Sequence, residues 1–125
     1  MFPNMTTQQV ADRYYALAQQ NKWAEIWDEL YSPEVVNREP EHAAAQGIPT
    51  VTKGMEAIKA KSKARREMIE ELHAQFCSAP VVGGSFFSSA MGRDVTFKGK
   101  PRMKLDEIAV FEVKDGKIVL EQFFF

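Results

Sequence analysis

The sequence predicts an α+β protein in which the helices precede a run of strands. Apolar residues recur at helical spacing in the first half of the chain, and from about Glu71 onward they alternate as they do in strands. Helices followed by hairpin-linked strands are typical of an antiparallel sheet with its helices gathered on one side. The 125 residues suffice for one hydrophobic core but not for two, so a single domain is expected over residues 1–125.

The first two helices are predicted to pack against each other as a hairpin. Thr6 and Gln9 have the spacing of a capping box, which predicts a helix start at this point. Asn21 suits a left-handed C-terminal cap and separates this helix from the next one. The two apolar faces consist of Val10, Tyr14, Leu17 and Ala18, and of Trp23, Ile26, Trp27 and Leu30.

A short strand is predicted to follow the second helix. The sequence predicts a turn at Ser32-Pro33 and then a strand from Val35 to Glu39. Pro40 disfavours the helical backbone conformation for the residue before it, so Glu39 is expected to be extended at the end of this strand. A carboxylate held in this way can point into a cavity.

The rest of the chain is predicted to form a loop, a third helix and four strands. Residues 41–52 show no periodicity and are predicted to be a loop. The third helix is predicted after Gly54, from Met55 to Met68 or Ile69, with its basic residues on a solvated face because glutamates interrupt them. The four strands are predicted at His73 to Ser78, Ser85 to Phe97, Leu105 to Lys114 and Lys117 to Phe125, with turns between them.

Composition argues against several classes of partner. The 16 basic and 17 acidic residues leave a net charge of −1, so no nucleic-acid partner is expected. No segment approaches the ~20 apolar residues of a membrane span, and Met1 to Met5 lack the features of a secretory signal, so a cytoplasmic protein is expected. A lone Cys77 with only His42 and His73 gives no metal-ligand spacing, and neither a metal nor a cofactor is expected.

The order helix, helix, short strand, helix and four strands resembles the NTF2-like superfamily and, within it, the SnoaL-like proteins related to polyketide cyclases and ketosteroid isomerase. The resemblance covers essentially the whole chain and includes Leu30 to Pro40, the helix start at Gly54 to Ile58 and the hairpin Val113 to Val119. It implies a cone-shaped fold, in which a curved mixed or antiparallel sheet wraps around three helices and encloses an apolar pocket. It also implies a homodimer formed through the outer face of the sheet.

The resemblance to ketosteroid isomerase implies specific catalytic positions. Glu39-Pro40 falls where that isomerase has the Asp-Pro of its general base, and Tyr14 falls where it has the tyrosine of its oxyanion hole. The protonated acid of that enzyme falls on Ala109, which can donate no hydrogen bond, so a steroid isomerase proper is not expected. Glu107, two residues earlier on the same strand face, is an acid that can face the same cavity.

The candidate catalytic residues are therefore Glu39, Glu107 and Tyr14. Two carboxyl groups in one partly apolar pocket tend to share a proton, so that one can serve as base and the other as acid. Tyr14 or a protonated Glu107 would then stabilise an enolate. The alternatives are that Tyr14 is an ordinary core tyrosine, that Tyr15 faces the pocket instead, or that Glu39 caps a backbone group or pairs with Arg38, Arg93 or His73.

Five further residues are candidates for contact with a flat, apolar ligand, and they are Trp27, His73, Phe86, Phe111 and Gln122. Gln122 is interpreted as an inward amide that orients one of the carboxyl groups. Aromatic residues at such positions are also ordinary core residues, and that alternative stays open.

Two functions follow from these residues. The predicted function is that of a pocket protein that binds a small apolar or carbonyl-bearing molecule. The alternative is a cofactor-independent isomerase, cyclase or hydratase that removes a proton next to a carbonyl group with Glu39 as general base.

Overall fold

Three α-helices and a seven-stranded sheet make up the computed structural model, which describes residues 4–125. Residues 1–3, on which the expectation of no secretory signal partly rests, lie outside the described chain. The helices are Thr7–Gln19 (α1), Trp23–Leu30 (α2) and Met55–Glu67 (α3), and a 3-10 helix spans Glu41–Gln46. The strands are Tyr31–Arg38 (β1), Val51–Lys53 (β2), Ile69–Cys77 (β3), Val81–Gly83 (β4), Phe86–Phe97 (β5), Met103–Lys114 (β6) and Lys117–Phe124 (β7).

The sheet is mixed, and its strand order is β2-β1-β7-β6-β5-β3, with β4 paired to β5. The pairing of β1 with β7 is parallel, and the other pairings are antiparallel. The long hairpins β5–β6 and β6–β7 form its centre, as the hairpin-linked strands predict. The turn between β6 and β7 has positive φ at Asp115 (52°) and Gly116 (74°), the backbone that a tight hairpin requires. The predicted α+β class is confirmed.

The predicted helix hairpin is present at the N-terminal end of the described chain. Thr6 caps α1 by accepting a hydrogen bond from the Gln9 backbone N–H at 3.1 Å, and the Gln9 side chain accepts one from the Thr6 N–H at 2.9 Å. Asn21 has the expected left-handed backbone, with φ of 57°. The Arg13 guanidinium then joins the two helices by donating two hydrogen bonds of 2.9 Å to the Glu29 carboxylate.

The segment after α2 differs from the sequence prediction. The helix ends at Leu30 and β1 begins at Tyr31, so Ser32-Pro33 lies within a strand and forms no turn. Proline has no backbone N–H to donate to a neighbouring strand. The strand tolerates Pro33 because the register with β7 shifts between Tyr31 and Val36, so no hydrogen bond from position 33 is needed there. The predicted loop of residues 41–52 contains the 3-10 helix and the start of β2, elements too short to produce a recognisable period.

The core lies between the helices and one face of the sheet, which we call the inner face. The rings of Phe87 and Phe111 stack with centroids 4.6 Å apart, and Tyr14 packs on both, at 5.7 and 4.8 Å. Along β6, Ala109, Phe111 and Val113 are buried, and Glu107 shares their side of the strand. This alternation, which the sequence predicts, directs Glu107 toward the helices.

Candidate functional site

A cavity of about 690 Å³ lies between the helices and the inner face, within the usual range for small-molecule sites. Tyr31, Asn37 and Glu121 are buried and define its buried end. The other end, which we call the exposed end, carries Arg66 and Lys104. The aromatic residues of the wall are Tyr14, Trp23, Trp27, Tyr31, Phe76, Phe123 and Phe125. The cavity therefore combines apolar walls with basic groups, those of Arg66 and Lys104, which the sequence did not predict there.

A hydrogen-bonded cluster of polar side chains occupies the buried end. The Tyr31 hydroxyl donates a short hydrogen bond to Oε2 of Glu121, and Nδ2 of Asn37 donates to Oε1 at 3.0 Å. Nζ of Lys61 in turn donates to Oδ1 of Asn37 at 2.8 Å. The Glu121 carboxyl is therefore held by two donors, and only 6% of the residue is exposed.

Glu39 lines the cavity directly after β1 and is paired with a lysine. Its backbone N–H donates to the Thr50 carbonyl at 2.9 Å, which fixes the residue in place. Nζ of Lys61 lies 3.2 Å from Oε1 of Glu39, and the side chains are 17% and 7% exposed, respectively. An ion pair was one of the predicted alternatives for Glu39, but the partner is Lys61 and not Arg38, Arg93 or His73.

Burial and the charge of Glu39 raise the pKa of two neighbouring carboxyl groups. Burial raises the pKa of Glu107 above its usual value, and the nearby Glu39 carboxylate raises it further, while Arg93 and Arg65 oppose the shift. Burial likewise raises the pKa of Glu121, against the hydrogen bonds from Tyr31 and Asn37, and Glu39 adds to the increase. Glu39 thus acts on the pKa of two other carboxyl groups of the cavity.

Tyr14 combines the two alternatives that the sequence left open. Its ring is buried in the aromatic core, yet the residue also lines the cavity, whereas Tyr15 does not. Its hydroxyl interacts with that of Tyr31, and burial raises the pKa of both tyrosines well above the usual value. Both hydroxyl groups therefore stay protonated and can act as hydrogen-bond donors.

Gln122 does not line the cavity, and its neighbour Glu121 does. In a strand, adjacent side chains point to opposite faces, so an error of one residue exchanges the inner and outer positions. Phe111 on β6 pairs with Glu121, and Ala109 pairs with Phe123, which places Glu121 and Phe123 on the inner face. The predicted orienting role of Gln122 is therefore wrong, and the inward polar residue of β7 is Glu121.

Three other predicted ligand contacts lie away from the cavity, whereas Trp27 lines it. His73 forms a hydrogen bond of 2.8 Å with the Thr96 hydroxyl, because an irregular register between Leu72 and Ala74 changes the alternation of β3. Phe86 is 43% exposed on the outer face of the sheet, and Phe111 is fully buried in the core beneath the cavity. These positions correct the predictions for His73, Phe86 and Phe111.

Lys61 and Arg65 are cavity residues that the sequence analysis assigned to a solvated helix face. They follow Ile58, a buried residue of α3, by three and seven positions. This spacing places all three on one side of the helix, so a signal was present in the sequence. It was hidden by Lys59 and Lys63, basic residues of α3 that lie outside the cavity.

The fold is a mixed sheet packed against three helices, with a cavity between the two layers. The chain belongs to the family of the SnoaL-like domain, whose sequence profile matches residues 5–125. This agrees with the resemblance deduced from the order of elements, including its assignment to the NTF2-like fold. A comparison with curated proteins gives no significant match.

Several solved structures resemble this chain. A Mesorhizobium loti protein described as a candidate SnoaL-like polyketide cyclase is 29% identical, with a TM-score of 0.87 over 97% of this chain and 100% of that one. TerC, co-crystallised with polyporic acid, is 18% identical, with a TM-score of 0.75 over 95% and 90% of the two chains. IdmH, a candidate polyketide cyclase of Streptomyces antibioticus, is 17% identical, with a TM-score of 0.69 over 96% and 91%. The last two show similarity of fold alone.

Between residues 4 and 125, no helix has the length and apolar character needed to cross a membrane. In the same part of the chain, no group of three or more His, Cys, Asp or Glu side chains is arranged to hold a metal ion.

Proposed function

We propose that the protein binds a small, largely apolar molecule that carries a carbonyl group, and that the cavity is its binding site. The observation that carries the proposal is the combination of aromatic walls with the Tyr14 hydroxyl group and the Glu121 carboxyl group at the buried end. Such a site buries apolar surface and fixes orientation through a few polar groups. The polyketide cyclase names of similar structures and the polyporic acid of TerC support a ligand of this kind.

The carbonyl oxygen of the ligand lies at the buried end in this proposal. The Tyr14 hydroxyl donates to it, and a protonated Glu121 provides a second donor. The apolar part extends along Trp23, Trp27 and Phe123.

The proposal is tested with 2-acetylnaphthalene, a flat apolar ketone. The chain has two tryptophans, Trp23 and Trp27, and both line the cavity. A ¹H–¹⁵N spectrum therefore contains two indole N–H signals, and both should shift as the ketone is added. The proposal fails if neither indole signal moves at saturating ketone and if mass spectrometry of the purified protein finds no small molecule bound.

A cofactor-independent isomerase, cyclase or hydratase is the second candidate function, because three carboxyl groups meet in the cavity. In this proposal the Glu39 carboxylate removes a proton from the carbon next to the ligand carbonyl, and the electron pair of the broken C–H bond forms the enolate. Tyr14 donates a hydrogen bond to the enolate oxygen, and Glu107 is the acid that returns a proton. Lys61 pairs with Glu39 at 3.2 Å and holds its carboxylate in position.

Proton removal is measured as exchange of the methyl protons of 2-acetylnaphthalene in D₂O. The wild-type protein should accelerate this exchange over buffer, and Glu39→Gln should abolish the acceleration while the ketone still binds. If the wild-type protein binds the ketone but does not accelerate proton exchange, the catalytic function is refuted and the binding function stands.

We also propose that two copies associate through the outer face of the sheet and that the protein acts in the cytoplasm. Ile108 and Phe124 are paired neighbours on that face and are 46% and 50% exposed. Exposed apolar groups at the centre of a sheet favour association with a similar surface. Alternation along β7 directs Phe124 outward and Phe123 inward, which gives the terminal phenylalanines two separate roles.

A further inference from the structure

The basic residues at the exposed end of the cavity form no ion pair within residues 4–125, although Glu107 acts electrostatically on two of them and Asp106 also lines the cavity. Arg65 and Arg66 come from the last turn of α3, Arg93 from β5 and Lys104 from β6, and all four residues line the cavity. The ion pairs formed within residues 4–125 involve none of these four. Over the same residues, the side-chain hydrogen bonds donated by arginines belong to Arg13 and Arg102.

Arg93 is the most constrained of these cations. Its side chain is partly buried, and burial together with the nearby Arg65 guanidinium lowers its pKa. A guanidinium group stays charged in proteins nevertheless, so Arg65 and Arg93 repel each other where water is partly excluded. Glu107 opposes this repulsion, but its own pKa is raised and it forms no ion pair with either arginine among the described residues.

The neighbours of Arg93 on the inner face include the apolar residues Met91 and Leu105, and Gln75 of β3 pairs with Arg93 on the other side. Arg93 pairs with Leu105 on β6, and Met91, two residues before it, pairs with Glu107. Residues two apart on a strand share a face, so Met91 and Arg93 both face the cavity that they line. An apolar ligand that lies along Met91 therefore ends beside two guanidinium groups.

We propose that Arg65 and Arg93 form an anion subsite and that the ligand is an apolar carboxylate. The inference rests on the proposed binding function and deepens it by naming the class of ligand. A guanidinium group donates parallel hydrogen bonds to the two oxygens of a carboxylate, and two arginines can enclose one such group. The ligand is thereby oriented, with its carboxylate at the exposed end and its carbonyl group near Tyr14 and Glu121.

The experiment compares 2-naphthoate with 2-acetylnaphthalene by isothermal titration calorimetry. The two compounds have nearly the same shape and differ in whether the ring carries a carboxylate or a neutral methyl ketone. We expect 2-naphthoate to bind the wild-type protein at least about tenfold more tightly, a difference of about 1.4 kcal/mol. Arg93→Gln should remove this preference, so that the two compounds bind with similar affinity.

Two further variants make the result specific. Arg65→Gln should reduce the same preference, and it provides a second test if Arg93→Gln fails to fold. Arg38→Gln changes the net charge equally, but Arg38 is exposed on β1 and outside the cavity, so it should leave the preference intact. An equal loss in Arg38→Gln would mean that net charge alone attracts 2-naphthoate, which overturns the subsite.

The outcomes separate this inference from the proposed function. If the ketone binds and 2-naphthoate binds no more tightly, the anion subsite is wrong and the binding function stands. The subsite is also wrong if the preference persists in both Arg93→Gln and Arg65→Gln. If neither compound binds the wild-type protein, the binding function fails and the subsite fails with it.

Discussion

Glu39 acts electrostatically on both of the other cavity carboxyl groups, since its charge contributes to the raised pKa of Glu107 and of Glu121. Lys61 pairs with Glu39 and also donates a hydrogen bond to Asn37, so it connects Glu39 to the cluster around Glu121. A single residue therefore sets the proton affinity at two places in the cavity. The sequence analysis predicted one of these two interactions, that between Glu39 and Glu107.

Replacing Glu39 with Gln should lower the pKa of both Glu107 and Glu121. The substitution removes a negative charge whose repulsion favours the protonated form of each neighbour. The pKa values can be followed by NMR of the side-chain carboxyl carbons during a pH titration. Glu41→Gln is the matched control, because Glu41 is exposed and outside the cavity. Unchanged titration of both groups in Glu39→Gln would show that the three carboxyl groups are independent.

Glu107→Gln should become more stable relative to the wild-type protein as the pH rises. The folded-state pKa of Glu107 lies above the unfolded value of ~4.3, so between these two pKa values the folded protein holds a proton that the unfolded chain releases. This contribution to wild-type stability is present below the unfolded pKa and is lost as the pH rises through the folded pKa. The amide of the variant does not titrate, so the variant lacks this dependence.

Urea unfolding of both proteins at pH 4, 5, 6, 7 and 8 measures this difference. Circular dichroism at each pH should confirm that both start from the same native state. The free energy of unfolding of the variant minus that of the wild-type protein should increase with pH. A difference that stays constant or decreases as the pH rises would contradict a raised pKa at Glu107.

The first helix depends on its capping box in a way that can be measured. Thr6→Ala removes the side-chain acceptor for the Gln9 N–H, which leaves a backbone donor of α1 without its partner. We expect the free energy of unfolding to fall by about 1 kcal/mol, the usual cost of losing an N-cap side chain. Urea denaturation provides the measurement.

Thr7→Ala is the control for this experiment. Thr7 is the first residue of α1, and among the described residues its side chain neither donates nor accepts a hydrogen bond. If Thr6→Ala and Thr7→Ala unfold at the same urea concentration, the Thr6 cap does not stabilise α1.

The regular elements could be predicted from the sequence because they are long enough to show a period. The helices α1 and α3 and the strands β5 and β6 were located within a few residues of their observed ends. The 3-10 helix, β2 and β4 each span six residues or fewer and were missed. In β1, Pro33 suggested a turn, because nothing in the local sequence reveals a register shift that makes a proline acceptable inside a strand.

The candidate site was predictable only in part, for a related reason. Glu39 and Glu107 were placed by a proline and by strand alternation, which are local signals, and both residues line the cavity. Glu121 was missed in favour of Gln122 because the direction of each side chain depends on register with β6, a contact between distant segments. Lys61 was missed because its partners, Glu39 and Asn37, are more than twenty residues away in the chain.

At the scale of the whole molecule, association of two copies should depend on the outer face of the sheet. Ile108→Glu places a charge in the exposed apolar pair that Ile108 forms with Phe124. We expect the wild-type protein to have twice the chain mass in light scattering at micromolar concentration, and the variant to have the mass of one chain.

Met68→Glu is the matched control for the association experiment. Met68 is also apolar and 55% exposed, but it lies at the end of α3 and outside the sheet. This variant should retain the mass of the dimer. A wild-type protein with the mass of a single chain would refute the dimer directly.

The parallel pairing of β1 with β7 determines when the buried end of the cavity can assemble. Tyr31 and Asn37 are separated from Glu121 by 90 and 84 residues, so their hydrogen bonds close nearly the whole chain into a loop. Contacts this distant in sequence are slow to form, whereas the helix hairpin and the antiparallel hairpins are local. During refolding, helical and strand signals should therefore recover before ligand binding does. On the ribosome, the cavity is completed only after β7 has emerged.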